Sequence, residues 1–210
     1  MFSLPKDLNT VKLDIQEVIE KNLINIECPR LTIELKFEGI KFNNIGFKVV
    51  EILSGYDDDK DIYLTYADQG AVALAQRDNP DIKEKIFTFK SFMESKHISE
   101  LNSIMVSMLP QPYDFDSFEP MTEKYCGKHI SINPKFEDAN IGIGSVIRER
   151  RRNFVNTWQN LYYLQPLENG ALMHFYHDNW LLFKQQNNKY FFIKDFDSKP
   201  DKEDIYVNLV

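Results

Sequence analysis

Apolar and polar residues alternate most strictly just after residue 30. The apolar positions there are Leu31, Ile33, Leu35 and Phe37. Successive side chains of a strand point to opposite faces, so this period of two predicts a strand with one buried face and one solvated face. Shorter apolar runs predict extended structure over 40–53, 62–67 and 86–92, with a short strand at 130–132.

Three other segments place apolar residues three and four positions apart, which is the spacing of one helix face. On this basis we predict helices over 7–23, 95–109 and 145–163. In the second of these the shared face consists of Ile98, Leu101, Met105 and Met108. Proline residues follow the second and third segments and are expected to end those helices.

Aromatic residues are concentrated between 154 and 196, a stretch that holds both tryptophans. Short aromatic and β-branched runs are separated there by Asn- and Asp-containing turns, which is typical of antiparallel hairpins. We therefore predict an aromatic-rich C-terminal β-meander, followed by a last strand through Ile205, Val207 and Leu209. Phe183, Phe191 and Phe192 are expected to pack in the core of this meander, whereas Tyr162, Tyr163, Tyr176 and Tyr190 are candidates for an exposed interface.

The predicted order of elements lacks the regular alternation of strand and helix that parallel sheets need. We therefore predict an α+β fold with a mainly antiparallel sheet and about three helices. A chain of 210 residues fits a single domain over 1–210. The irregular segment 110–144 is where any subdivision is expected.

Charge and composition narrow the range of partners. The net charge of −7 argues against nucleic acids and anionic membranes, which both attract basic surfaces. Apolar runs are too short for a membrane span, and the first residues lack the pattern of a secretory signal. With only Cys28 and Cys126 in the chain, we expect reduced thiols and a cytoplasmic location. The expected partner is another protein, with no nucleic acid and no membrane.

One set of residues has the spacing of a metal site. Cys126 and His129 are three positions apart, and so are His174 and His177. One thiolate and three imidazoles would suit zinc. A regular strand over 172–177 would point the latter two side chains to opposite faces, so convergence requires a bend near Asp178. We expect no resident cofactor, with zinc as the alternative.

The same residues allow a catalytic hypothesis. Cys126 could act as a nucleophile if His177, or else His129 or His174, served as its base and Asp178 oriented the imidazole. The sequence around Cys126 matches no signature of a cysteine hydrolase. A third interpretation assigns no function to these residues: the thiol lies in the core, and the histidines are hydrogen-bonded or lie on the surface.

A glycine-containing segment leads into a cluster of arginines. Gly142 and Gly144 precede the predicted third helix, which begins at Ser145 and carries Arg148, Arg151 and Arg152. Exposed backbone N–H groups at a helix start favour anions, so these residues are candidates for an anion or a protein contact. The segment is neither a P-loop nor a dinucleotide fingerprint, because the required Lys-Ser/Thr and third glycine are missing. Neutralisation by nearby carboxylates is the alternative.

These patterns favour a non-catalytic soluble protein-binding module, one that neutralises a partner or serves as an assembly component. The alternative is a small Cys/His-dependent or zinc-dependent hydrolase or transferase that uses Cys126, His129, His174 and His177. The absence of a clustered catalytic motif favours the first hypothesis, although catalytic residues can also converge from distant positions in a sequence.

Overall fold

The computed structural model describes residues 3–23, 26–27, 29–56, 59–136 and 145–210. The chain forms two compact units. The first, here called the meander unit, comprises 1–25, 33–40 and 160–210, and the second, called the parallel unit, comprises 26–32 and 41–159. Strand β1 (Arg30–Leu35) continues from the parallel unit into the meander unit along the chain.

The parallel unit contains four strands that pair in the order β3-β2-β4-β5, every pair parallel. Their bounds are Asp61–Tyr66 (β2), Ile86–Thr88 (β3), Ser103–Met108 (β4) and Lys128–Ile132 (β5). Nearly every residue of β2 and β4 is buried. Helices cover both faces of such sheets, so central parallel strands are apolar on both sides.

Five helices of this unit connect or cover the strands. They are α2 (Phe42–Tyr56), α3 (Gln69–Asp78), α4 (Phe89–Met93), α5 (Phe115–Lys124) and α6 (Ser145–Val155), with 3-10 turns at Pro80–Lys85, Lys96–Ser99 and Pro112–Asp114. Side-chain caps fix two of the helix starts. The carboxylate of Asp68 accepts a hydrogen bond from the Ala71 N–H, and Thr88 and Ser91 cap each other reciprocally.

An aromatic core holds these helices against the strands. Its buried members are Tyr63, Phe89, Phe92, Ile98, Met105, Phe115, Phe118, Met121, Tyr125, Phe136 and Phe154. Many of the rings meet edge to face, the arrangement that the charge distribution of aromatic rings favours. The core of the parallel unit is therefore built largely from aromatic rings on α4, α5 and α6.

The meander unit combines four antiparallel strands with two helices. Its elements are α1 (Leu8–Asn22), β6 (Gln159–Leu167), β7 (Gly170–Phe175), β8 (Trp180–Gln186), β9 (Lys189–Phe196) and α7 (Lys202–Leu209). Strands β6 to β9 pair consecutively. Asp7 caps α1 through the Thr10 N–H, and Asp201 caps α7 through the Asp204 N–H. Leu209 packs with Trp180 and Leu182 in the apolar cluster of this unit.

The predicted fold class is wrong in its main feature. The strands have mixed pairing, because β2 to β5 are parallel and only β6 to β9 form an antiparallel meander. The described residues also contain seven α-helices instead of about three. The prediction assumed too few crossovers, because it assigned strands to segments that form helices.

Particular elements account for this error. The segment 95–109 contains a 3-10 turn and β4 instead of an α-helix, and the segment 40–53 contains α2 and not strands. The predicted helix over 145–163 ends at Val155, and β6 follows it. The predicted last strand is helix α7. The first helix and the aromatic C-terminal meander are confirmed.

None of the helices in the described ranges combines the length and the apolar character that crossing a bilayer would require.

Candidate functional site

Cys126 and His129 are close in sequence but lie in different environments. Cys126 is exposed just before β5, with its Sγ 3.7 Å from the Lys124 carbonyl oxygen. His129, inside β5, is only 1% exposed. Its Nε2 lies 2.6 Å from the Ser107 Oγ, which lies 2.8 Å from the Thr65 Oγ1. His129 therefore belongs to an internal row of polar groups on β2, β4 and β5, here called the polar row.

Cys126 borders a cavity of about 260 Å³ at the amino-terminal ends of β4 and β5. The charged residues that line it are Glu27, Lys60 and Lys128. The described lining residues include no histidine, whereas a thiol nucleophile needs a base within hydrogen-bond reach. Ligands of parallel sheets bind beyond the opposite, carboxyl ends of the strands. This cavity therefore gives the thiol hypothesis no support.

His174 and His177 lie at the end of β7 in the meander unit. The His174 ring stacks on Trp180, with centroids 4.5 Å apart and planes 10° from parallel. Burial lowers the pKa of His174 below its usual value, although nearby backbone hydrogen bonds oppose this effect. His177 is exposed in the following turn, with a φ of +70°. The bend that convergence requires is present, but the two imidazoles occupy different surroundings.

No three histidine, cysteine, aspartate or glutamate side chains come together as a possible metal site anywhere in the described part of the chain. Cys28 lies outside that part. The proposed zinc ligands are divided between the two units, with Cys126 and His129 in the parallel unit and His174 and His177 in the meander unit. The catalytic alternative divides in the same way, because His177 and Asp178 belong to the meander unit.

The arginine cluster lies on α6, where two arginines contact α5 and the turn before it. Arg150 pairs with the buried carboxylate of Glu119 and lies over the Phe115 ring. Arg151 donates from Nη2 to the Pro112 carbonyl oxygen at 3.0 Å, and its guanidinium lies 5.1 Å from the centre of the Phe115 ring. Arg148 and Arg152 are exposed. Glu119 therefore neutralises Arg150, which is not one of the three candidate arginines. Gly142 and Gly144 lie outside the described residues, and so does the side chain of Ser145.

A second cavity, of about 440 Å³, opens between α5 and α6. Its charged residues are Arg30, Glu119, Glu123, Glu149 and Arg150. Arg30 donates to the Thr157 Oγ1 at 2.8 Å, and Arg150 is paired with Glu119. With three carboxylates against two guanidinium groups, this cavity is a poor anion site. Arg148, Arg151 and Arg152 as a partner contact therefore stay a prediction.

The structure also forms a polar cluster that sequence reasoning missed, at Tyr63, His97 and Glu100. The Tyr63 hydroxyl donates to the Glu100 Oε2 at 2.6 Å, and the His97 Nδ1 lies 2.9 Å from the Glu100 Oε1. The Tyr63 hydroxyl also lies 2.8 Å from the same Nδ1, so the three side chains contact one another. Burial raises the pKa of Glu100, but hydrogen bonds from Tyr63 and His97 outweigh it, and the pKa is lowered overall. Neither cavity includes a member of this cluster.

The most unusual surface of the described chain is strand β9. Tyr190, Phe191, Phe192 and Ile193 are 43%, 49%, 41% and 38% exposed, respectively. β9 pairs with β8, and no other described strand pairs with its outer side. The expected core positions of Phe191 and Phe192 are therefore wrong, whereas Phe183 is buried as expected. Of the four candidate interface tyrosines, Tyr190 is exposed, whereas Tyr162 and Tyr163 are buried.

The flanking polar residues were the available signal for this exposure. β9 follows the polar run Gln185–Asn188, begins at Lys189 and has Lys194 directly after the four apolar residues. Lysine and short polar turns are features by which proteins protect the edge strands of sheets. We call the segment Lys189–Phe196, whose outer side pairs with no other described strand, the β9 edge.

Comparison with curated proteins finds no match to this sequence. A protein-family model described as a domain of unknown function, DUF1995, matches residues 5–206, which is nearly the whole chain. The chain therefore belongs to the DUF1995 family.

Proposed function

We propose that this protein is a non-catalytic protein-binding module that holds its partner at the β9 edge. The observation that carries the proposal is the exposure of four consecutive large apolar side chains, Tyr190–Ile193, on an edge strand. Single exposed apolar residues are ordinary, but a contiguous exposed run marks an interaction surface or an aggregation hazard.

The edge also offers backbone groups. The outer N–H and C=O groups of an edge strand are a template on which an extended segment of another protein can add a strand. In that mode, backbone hydrogen bonds supply affinity, and the alternating side chains supply specificity. The partner is then either neutralised by the contact or held as part of an assembly.

The hydrolase or transferase alternative has weaker support. Cys126 borders a cavity without a described histidine, and His129 is buried with its Nε2 bonded to Ser107. The Tyr63–His97–Glu100 cluster orients an imidazole, but neither cavity reaches it. These positions lack the common point at which a substrate could meet a nucleophile and a base.

Affinity capture with matched variants tests the proposal. The edge variant carries Phe191→Ser and Ile193→Ser, and the control variant carries Leu13→Ser and Leu101→Ser, at two exposed leucines far along the chain from β9. We expect the native protein and the control to recover the same dominant partner from the source organism, and the edge variant to lose it. With the purified partner, calorimetry should show at least about tenfold weaker binding for the edge variant.

All four substituted side chains are exposed, so each variant should keep the native far-UV circular dichroism spectrum and a cooperative unfolding transition. Equal recovery by the edge variant would overturn the proposal. So would the absence of any partner that the native protein and the control share.

A further inference from the structure

We infer that the segment bound at the β9 edge is an extended strand in which acidic and apolar residues alternate. This inference rests on the proposed function and deepens it by specifying the chemistry of the partner. It follows from the way in which charge is distributed between the two faces of β9.

The register of β8 and β9 assigns each residue of β9 to a face. Three residues of β9 pair with alternate residues of β8: Lys189 with Gln186, Phe191 with Lys184, and Lys194 with Leu182. They therefore share one face, here called the lysine face, with Lys184. Tyr190 and Phe192 pair with Gln185 and Phe183 and form the opposite, aromatic face. The register shifts between Leu182 and Phe183, so Ile193 has no partner in the pairing and forms a bulge.

On the lysine face Phe191 is flanked by cations, and Phe196 lies beyond Lys194. Phe191 lies directly opposite Lys184, with Lys189 two positions before it and Lys194 just beyond the bulge. Phe191, Lys189 and Lys194 are all exposed. Lys184 donates from Nζ to the Val210 carbonyl oxygen at 3.1 Å, so Lys189 and Lys194 are the cations that this face offers to an added strand. A strand added outside β9 would place alternate side chains beside these lysines, where opposite charges stabilise the pairing and like charges weaken it.

The aromatic face calls for different side chains. The Phe192 ring packs edge to face on Phe183, with centroids 6.0 Å apart, and Tyr190 extends the same face. An apolar or β-branched residue of the added strand would continue this surface. Glutamate on one face and valine or isoleucine on the other therefore complement the two faces of β9.

Two other occupants of the edge fit less well. A lipid surface could cover the apolar rings, but hydrocarbon supplies no hydrogen bonds to the outer backbone groups of β9. A second copy of the chain could supply them. In one antiparallel register that matches equivalent faces, however, Phe191 lies opposite Lys194 of the second copy. That register places Lys189 diagonal to the same lysine, so two pairs of like charges approach each other.

Binding of synthetic strands to the full-length protein tests the inference. Three capped peptides of about nine residues are compared by fluorescence anisotropy: alternating Glu/Val, alternating Lys/Val, and Glu/Val with N-methyl groups on alternate amides. We expect the native protein to prefer Glu/Val to Lys/Val by about tenfold or more at low salt, a preference that declines as salt increases. Methylation should abolish binding, because it removes the backbone donors that strand pairing needs.

A charge reversal supplies the matched control. Lys189→Glu with Lys194→Glu should weaken Glu/Val by about tenfold and strengthen Lys/Val. Lys41→Glu with Lys90→Glu changes the net charge equally at exposed positions on other elements and should leave both affinities unchanged.

The outcomes separate this inference from the proposed function. Two results would overturn the inference that the bound strand is acidic and leave the β9 edge as the docking site. In the first, Lys/Val binds the native protein as tightly as Glu/Val. In the second, neither peptide binds, but the Phe191→Ser/Ile193→Ser variant still loses its captured partner. Equal binding of the methylated peptide would overturn strand pairing. Tighter binding to phosphatidylcholine/phosphatidylserine vesicles, or a native dimer that the Phe191→Ser/Ile193→Ser variant abolishes, would assign the edge to a membrane or to a second copy.

Discussion

His129 is a fully buried ionisable residue whose surroundings suit only its neutral form. Burial, and secondarily the positive charge of Arg30, lower the pKa of His129 well below its usual value of 6.5. Its Nε2 is bonded within the polar row, and its Nδ1 has no hydrogen-bond partner among the described residues. A proton added at Nδ1 would therefore be buried without compensation.

This burial predicts a specific loss of stability in acid. Above pH 6.5 the histidine is neutral in both states, and its contribution to the free energy of unfolding is complete. As the pH falls below 6.5 the unfolded state binds a proton that the folded state excludes, so stability declines by up to about 1.4 kcal/mol per pH unit. His129→Gln should be less stable at pH 7.5 but should lose less stability between pH 6.5 and 5, as urea titrations at each pH would measure. His174, whose pKa is also lowered, should still contribute to the dependence of the free energy of unfolding on pH in this variant.

His177→Asn is the control, because that side chain is exposed and asparagine tolerates its positive φ. It should keep the native dependence on pH. A His129→Gln slope equal to the native slope would show that some other group governs acid unfolding.

The cluster of Tyr63, His97 and Glu100 makes a second prediction about single residues. Tyr63→Phe removes one donor from the Glu100 carboxylate, so the pKa of Glu100 should rise and the free energy of unfolding should fall by about 1 kcal/mol. Carboxyl ¹³C NMR titration measures the first effect and urea unfolding the second. The matched control is Tyr113→Phe, at an exposed tyrosine. An unchanged Glu100 titration in Tyr63→Phe would contradict the hydrogen-bonded arrangement.

At the scale of elements, local pattern predicted what depends on local chemistry. The helical spacing of apolar residues after Asp7 identifies α1, and the aromatic runs separated by Asn and Asp identify the meander. The pattern was ambiguous in the segment 95–109. Met105 and Met108 fit a helix face, but β4 is buried on both sides, and such strands are apolar without a period of two.

The opposite error occurred at α7. Ile205, Val207 and Leu209 alternate as in a strand, yet Asp201 caps a helix in which Leu209 is buried and Val207 is exposed. The Asp201 cap and the packing of Leu209 against the cluster of Trp180 and Leu182 both favour the helix. Short apolar runs are decided by tertiary contacts in this way, which is why the fold class could not be derived from periodicity.

The candidate sites depend even more on long-range pairing. The polar row depends on how the strands pair. Thr65 of β2 pairs with Ser107 of β4, and His129 lies two residues before Ser131, the residue of β5 that pairs with Ser107. Residues so far apart in sequence carry no common motif. The exposure of β9 likewise depends on tertiary structure, since β9 is the last strand in the sheet order and only an element packed on its faces would bury its side chains.

Two glycines give a prediction at the scale of elements. At Gly170, which begins β7, a Cβ would overlap the Phe183 carbonyl oxygen of β8, whereas at Gly55 in α2 it would meet nothing within 4 Å. Gly170→Ala must displace the backbone of the β7–β8 hairpin and should lower the free energy of unfolding by about 2 kcal/mol or more. Gly55→Ala should raise it by up to about 1 kcal/mol through helix propensity.

Tryptophan fluorescence during urea unfolding compares the two variants, since Trp180 is in β8 and Trp158 is in the parallel unit. If Gly170→Ala proved as stable as the native protein, the close approach of β7 and β8 would be wrong.

The molecule as a whole must keep an apolar edge available without aggregating. A free edge with exposed aromatic residues attracts copies of itself as readily as a partner. The β9 edge carries two features that oppose such pairing, namely the bulge at Ile193 and the flanking residues Lys189 and Lys194. Lysines at the ends of an apolar run act as gatekeepers, because like charges meet when two copies align.

Two physical arguments make opposite predictions for a variant without these lysines. Lys189→Ala with Lys194→Ala changes the net charge from −7 to −9, and on net charge alone a more charged protein should associate less. If the gatekeeper argument is correct, the variant should associate more. We expect the variant to associate more. Repulsion between the lysines of two aligned edges acts at the short distance between neighbouring strands, whereas repulsion between distant charges is screened beyond about 8 Å at physiological salt.

Light scattering over a range of protein concentrations measures the difference. Lys41→Ala with Lys90→Ala removes the same charge at exposed positions on other elements and should stay as monodisperse as the native protein. Adding Phe191→Ser to the Lys189→Ala/Lys194→Ala variant should restore monodispersity, because it removes the apolar contact that the lysines protect. If both double lysine variants stayed equally monodisperse, the lysines would have no gatekeeping role, and their place beside Phe191 would serve partner recognition alone.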